Sequence, residues 1–508
     1  MCWTFFLFYA IIINIKLTER KINMKKKLSF IMAVCTVIFG IAGCAADSSG
    51  TAETQPAASA VAETATSTES ETESITTTTM PAAESTAPET DKAEPVVNEN
   101  RANTEDYTLK EVVVLSRHNI RAPLSSNGAL NELATPYEWF KWTSNSSELS
   151  LRGGVLETEM GQYFRKWLES EELVPENWMP SDKELRVYAN SKQRTLATAQ
   201  YFSSGFLPTA NVKIEHHADF GEMDETFAPV IHYYSDAYAE AVAKQFEEYG
   251  GADIASDIAP NVEQLCDIID YEDSPGYKSG ELTDLDMIDT KFSVVQGEEP
   301  IVEGSLKTAC TISDALVLQY YEELDAKKAA FGKDMTKDMW QQTADITTKY
   351  TEVRHGLPLV AINTANPIIK EIKNEFTDNE RKFTFLCGHD CTVHGVLVSM
   401  EAEDYQLPYT IEKKTPIGVK LVFEKWEDKD GNEFAAVELM YQSTEQLRAA
   451  TMLDLDTPPV IYSLSFEGLE KNSDGLYAYE DIIGRIDKAL DDYDNLEKEY
   501  GDTVKKAA

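Results

Sequence analysis

Apolar positions along this chain follow two spacings, and their order suggests a layered fold. The run Val112-Val113-Val114-Leu115 is short, β-branched and unbroken. Such a run predicts a strand buried on both faces, as in a parallel sheet covered by helices, since a half-exposed strand would alternate. Leu185-Arg186-Val187-Tyr188-Ala189 and Phe383-Thr384-Phe385-Leu386-Cys387 read as two further strands. Between the first two, Leu156, Met160, Phe164, Trp167 and Leu168 recur at helical spacing among charged residues, the pattern of a helix with one face in a core. Ile482, Ile483, Ile486, Leu490, Tyr493 and Leu496 predict a second docked helix near the C-terminus. The expected fold class is α/β: a doubly wound, mainly parallel sheet flanked by helices over 105–225 and 350–508. A mainly helical domain is expected as an insertion over 226–349.

Ahead of Tyr107 the pattern changes. Lys25-Lys26-Lys27, an apolar stretch from Leu28 to Gly40 and then Ile41-Ala42-Gly43-Cys44 have the form of an export signal with a small-residue cleavage site. The last four residues are similar to a bacterial lipobox, which implies cleavage before Cys44 and a lipid anchor on that cysteine. The expected location is the outer face of the bacterial cell membrane, or the periplasm or exterior if the signal is cut without lipidation. Met24 is the expected true start, which makes the apolar stretch Trp3–Ile13 an upstream artefact and 1–43 the signal region. Residues 45–100 contain no Phe, Tyr or Trp and are rich in Thr, Ser, Ala, Glu and Pro, so 44–104 is expected to be a lipidated cysteine followed by a disordered acidic tether.

Composition narrows the partner. Over 508 residues the formal net charge is −41, which argues against nucleic acid or an anionic membrane surface as a main partner. An anionic small molecule then requires a local cluster of arginines. The seven cysteines are too irregularly spaced for a disulfide scaffold or a paired zinc module. Cys387, His389, Cys391 and His394 lack a second ligand pair elsewhere, so no metal or other cofactor is expected.

The candidate chemistry follows the predicted strands. Arg117-His118-Asn119-Ile120-Arg121-Ala122-Pro123 comes after the first, Ser191-Lys192-Gln193-Arg194-Thr195 after the second and Gly388-His389-Asp390 after the third. In an open α/β sheet the carboxyl ends of the strands line the ligand crevice, so these distant segments are expected to converge. Three guanidinium groups in one pocket suit the several oxygens of a phosphate better than a single carboxylate. A second Arg-His-Gly, Arg354-His355-Gly356, follows a polar stretch with no strand and lacks an arginine three residues on, so it is read as a decoy.

The pairing of Arg117-His118-x-x-Arg121-x-Pro123 with a late His389-Asp390 resembles the histidine acid phosphatases. Tyr188–Thr195, Met223–Phe227, Tyr271–Pro275, Thr415–Gly418 and Tyr441–Arg448 are similar to the glucose-1-phosphatase subgroup of that family, as is Asn119 where most members carry glycine. The resemblance implies a metal-independent phosphomonoesterase. His118 would be the nucleophile and Asp390 the proton donor, while Arg117, Arg121, Arg194 and His389 bind phosphate. By local likeness Glu299 would meet the sugar side of the substrate. Two other readings stay open: a phytase, whose substrate would favour a more basic pocket, and a surface lipoprotein that binds phosphorylated ligands without turnover. The residues leave the oligomeric state open.

Overall fold

Val112, Val113, Val114 and Leu115 are each 0 % exposed, because strand β1 (Tyr107–Arg117) runs through the middle of a sheet covered on both faces. The computed structural model describes Asn98 and residues 100–124, 130–249, 251 and 253–501. The signal region 1–43, Cys44 and the tether as far as residue 97 lie outside the described residues.

After β1 come helix α1 (Leu151–Ser170), β2 (Leu185–Ala189), α2 (Gln193–Phe206) and the short β3 (Ile214–Glu215). A largely helical stretch follows: α3 (Asp236–Glu248), α4 (Ile254–Ile269), a hairpin of β4 (Lys291–Ser293) and β5 (Ile301–Glu303), α5 (Ser305–Glu322) and α6 (Lys337–His355). The chain then returns to the sheet through α7 (Pro358–Phe376), β6 (Phe383–Gly388), α8 (Asp390–Ser399), β7 (Lys420–Asp428) and β8 (Glu433–Tyr441). β9 (Val460–Ser463), β10 (Tyr477–Ala478) and α9 (Tyr479–Tyr500) complete it.

Strand order is β10-β8-β7-β1-β6-β2-β3, with β9 also paired to β8. The half β1-β6-β2-β3 is parallel, as the unbroken apolar runs predict. From β1 outward through β7 to β8, β9 and β10 every pairing is antiparallel, so the sheet as a whole is mixed. For β7 and β8 the reason is local: Asp428 Oδ1 accepts from the amides of Asp430 and Asn432, closing a turn too short for anything but antiparallel neighbours.

Alternation along β1 divides the core. Val113 and Leu115 face α7, α8 and α9, while Val112 and Val114 face α1 and α2. Each such buried side chain contributes about 1.5–3 kcal/mol of transfer free energy. Helix α9 is docked on the sheet, with Ile482 and Ile486 fully buried. The helical stretch has its own apolar cluster, which includes Tyr238, Leu316 and Trp340 and also takes in Ile120, Leu156 and Leu447 from the sheet side.

The expected tether ends earlier than its composition suggests. Asn98 Nδ2 donates to the Pro459 carbonyl, and the Ile461 amide donates back to Asn98 Oδ1. Arg101 reaches the buried Glu438 at 3.7 Å and lies over Trp167. A polar residue that completes a sheet edge and a cation that meets a buried carboxylate are held without aromatic residues of their own, which is why the composition misplaces this boundary.

Candidate active site

The three chemical segments meet because their strands are neighbours in register. Arg117 on β1 pairs with Gly388 on β6, and Cys387 on β6 pairs with Ala189 on β2, so the carboxyl ends of β1, β6 and β2 are level. The His118 amide donates to the Gly388 carbonyl at 3.1 Å and the Asn190 amide to the Cys387 carbonyl at 2.9 Å, which carries the alignment one residue past each strand. Arg194 sits in the first turn of α2, His389 caps α8 and Asp390 opens it.

His118, Arg121, Arg194, His389, Asp390 and Glu299 all line one cavity of about 430 Å³. Arg117 lines a small adjoining recess together with Asp390, its Nη2 3.8 Å from Asp390 Oδ2. Thus the residues expected to act together are brought together. Cys44 lies outside the described residues.

His118 is 3 % exposed, and its Nδ1 lies 2.9 Å from the Asn119 carbonyl, a contact only a donating Nδ1–H satisfies. That assigns the proton to Nδ1 and leaves the Nε2 lone pair free. Burial, and then the charges of Arg194, Arg121 and Arg117, hold the ring's pKa well below the ordinary histidine value, so it stays neutral. For Asp390 burial pulls upward, but Arg117, the Cys391 amide and Arg121 outweigh it and hold the carboxyl well below the usual carboxylate range. His389 is neutral as well, through burial and the neighbouring Arg194.

The arginines are braced by carboxylates that the strand-end reading did not foresee. Arg121 makes a two-point contact with Asp314 on α5, both N–O distances being 3.1 Å. Arg117 donates to Glu412 at 2.9 Å and to the Thr415 carbonyl, and Glu412 also accepts from the Tyr321 hydroxyl and the Ile417 amide. Each guanidinium is thereby fixed before any ligand arrives. The Nε–H groups of Arg117, Arg121 and Arg194 are nonetheless buried with no hydrogen-bond partner among the described residues. Burial, and then Arg121, lower the Arg194 pKa to about 10. Guanidinium groups clustered in this way suit an anion with several oxygens.

Behind the site lie further residues that shape it. Asn190 donates to His389 Nε2 at 2.7 Å, while its Oδ1 accepts the Asp224 amide, whose carboxylate in turn accepts from Tyr188. Arg194 Nη2 lies 3.4 Å from the other ring nitrogen of His389. Asn119 points away from the cavity and donates at 2.8 Å to Glu157, which pairs with Lys420 at 2.9 Å; both charges are 0 % exposed. Removing one partner of such a buried pair costs about 3–5 kcal/mol. Gly418, at φ +70°, passes so close that a Cβ would stand 2.5 Å from Asn119 Nδ2.

One expectation is corrected. Arg354 and His355 are no remote decoy: they end α6 and form part of the same cavity wall, Arg354 pairing with Glu299 at 2.7 Å. A helix end delivers them where a strand end was sought. The described cysteines, Cys266, Cys310, Cys387 and Cys391, are free thiols.

The model of the histidine phosphatase superfamily (branch 2) matches residues 108–442. The chain belongs to that superfamily. A glucose-1-phosphatase of Providencia rettgeri is 35 % identical over 396 residues, covering 77 % of this chain and 94 % of the relative. That of Salmonella typhimurium is 36 % identical over 377 residues, covering 73 % and 90 %. The Escherichia coli phytase AppA is 24 % identical over 394 residues, covering 73 % and 89 %. In fold, the apo phytase of Hafnia alvei superposes with a TM-score of 0.70 at 22 % identity, over 77 % of this chain and 98 % of that one. This histidine phosphatase is therefore a phosphomonoesterase built on a mixed sheet flanked by helices.

Proposed function

We propose that this histidine phosphatase hydrolyses glucose 1-phosphate or a similar sugar monophosphate through a phosphohistidine on His118. The observation that carries the reading is a neutral histidine, its Nδ1–H donated to the Asn119 carbonyl, in one cavity with Asp390, Arg121 and Arg194. The Nε2 lone pair attacks phosphorus, the P–O ester bond breaks, and Asp390 gives its proton to the departing alkoxide. Water then attacks phosphorus and the P–N bond breaks. Asp390 takes the water's proton and inorganic phosphate leaves. Arg117, Arg121 and Arg194 neutralise the phosphoryl oxygens in both steps, which supplies the charge stabilisation that metal ions give other phosphatases. Asn190 faces His389 Nε2 with its amide nitrogen and Arg194 Nη2 faces Nδ1, so the ring is held from both sides beside the phosphate it would bind.

Asp390 is ionised in the free enzyme, so the proton it donates must enter with the substrate. A phosphomonoester monoanion carries one and, once bound, offsets the arginine charge that depresses Asp390. The expected pH dependence follows. In EDTA, kcat/KM for glucose 1-phosphate should fall about tenfold per pH unit above about pH 6, where the ester loses its second proton. It should hold on the acid side through the ordinary histidine range, because His118 protonates only at its depressed pKa. A profile that rises from pH 5 to 8 contradicts the scheme. Phytate turned over more efficiently than glucose 1-phosphate contradicts the substrate assignment but keeps the mechanism.

The same reading places the enzyme outside the cytoplasm on a lipid attached to Cys44, supported by the signal-like run that ends there. Cys44→Ser should move the full-length protein from the membrane to the soluble fraction of its host. Unchanged membrane retention would contradict the anchor.

A further inference from the structure

The second Arg-His-Gly of the chain has a function that its position in sequence conceals. Arg354 Nη2 meets Glu299 Oε2 at 2.7 Å, its Nε donates to the Pro300 carbonyl at 2.6 Å, and its guanidinium lies 5.9 Å from the ring centre of Tyr350. Arg354, Glu299 and Tyr350 line the cavity that contains His118. The Arg354 and Glu299 side chains keep 24 % and 39 % exposure, and pairs so open to solvent contribute little to stability. A two-point clamp on a weakly stabilising pair, inside the catalytic cavity, calls for a different explanation.

We propose that Arg354 is a specificity-determining residue: it positions Glu299 and cancels its charge, so that this wall accepts an uncharged, hydroxyl-bearing leaving group. The inference rests on the sugar-phosphate reading and adds to it the residue that makes Glu299 usable. With Oε2 committed to Arg354, Oε1 is left to accept a substrate hydroxyl from a fixed place. A lone carboxylate here would repel the phosphate held by Arg121 and Arg194, and a lone guanidinium would attract a second phosphate. The pair does neither. Selectivity of this kind, built on a hydrogen bond to a hydroxyl, is lost when the acceptor is displaced.

The two ways of breaking the pair therefore have opposite consequences, which makes the inference testable. Wild type, Arg354→Met, Glu299→Gln and the double variant are assayed on glucose 1-phosphate, phenyl phosphate and phytate. Phenyl phosphate lacks hydroxyls, and its turnover reports whether each cavity has folded. Arg354→Met should lower kcat/KM for glucose 1-phosphate about tenfold more than for phenyl phosphate. Glu299→Gln should also lose glucose 1-phosphate selectively, yet raise kcat/KM for phytate, because Arg354 is released. The double variant should be no worse on glucose 1-phosphate than Glu299→Gln and should lose the gain on phytate. Arg354→Lys, which keeps the charge but not the two-point clamp, should fall between wild type and Arg354→Met. A wild-type preference for glucose 1-phosphate over phenyl phosphate that survives Arg354→Met, or equal losses on both substrates, overturns the inference and leaves the proposed function standing. No such preference in the wild type overturns the sugar-phosphate reading itself.

Discussion

Replacing His118 with alanine is expected to abolish turnover of every phosphomonoester, by at least about 10⁴-fold in kcat, because it removes the nucleophile that forms the covalent intermediate. Asn119, Glu157 and Lys420 form the support beneath this residue through backbone and buried polar contacts that do not involve the imidazole beyond Nδ1. The variant should therefore fold and still bind inorganic phosphate through Arg121 and Arg194. Phosphate protection against thermal unfolding, measured alongside kcat, separates loss of the nucleophile from loss of the site. A variant that retains more than a hundredth of wild-type kcat would rule out His118 as the nucleophile.

The second large effect is expected at Asp390. Asp390→Asn keeps the shape of the side chain and removes the proton it exchanges, so kcat for glucose 1-phosphate should drop by about 10²–10⁴. The two half-reactions separate with nitrophenyl phosphate. Nitrophenolate leaves without a proton, so phosphorylation of His118 should remain fast, while hydrolysis of the intermediate lacks its base. Rapid mixing should then show a burst of about one nitrophenol per active site followed by slow turnover. Equal slowing of both substrates with no burst would remove Asp390 from the proton path. The present charge pattern adds a control: without the Asp390 carboxylate, Arg117 keeps Glu412 and Thr415 as partners, so its position should not change.

Much of this site was legible in the chain for a physical reason. An unbroken apolar run such as Val112–Leu115 is stable only with both faces covered, and covered parallel strands put their following residues in one crevice. Arg117, His118, Arg194, His389 and Asp390 come from three such strand ends, so local pattern was enough to group them. Asp314 and Glu412 were not legible, because each is brought in by packing: one from the middle of α5, the other from a loop before Pro416. An acid directly before the apolar stretch Ala315-Leu316-Val317-Leu318 was the available signal for Asp314, since a carboxylate there must find a cation. Arg354 was misjudged by insisting on a strand before the motif. The antiparallel pairing of β7 with β8 is specified by the short turn at Asp428 as much as by apolar runs. The docked segment at Asn98 and Arg101 was missed because polar anchoring leaves no trace in composition.

The most direct test is to trap the intermediate. The full-length enzyme is mixed with ³²P-labelled glucose 1-phosphate, quenched within milliseconds and digested, and the labelled peptide is located. The expected result is alkali-stable, acid-labile phosphate on His118 alone, formed and discharged at least as fast as kcat. Label on another residue, or full turnover at a steady state with no label on His118, would contradict a phosphohistidine mechanism for this enzyme.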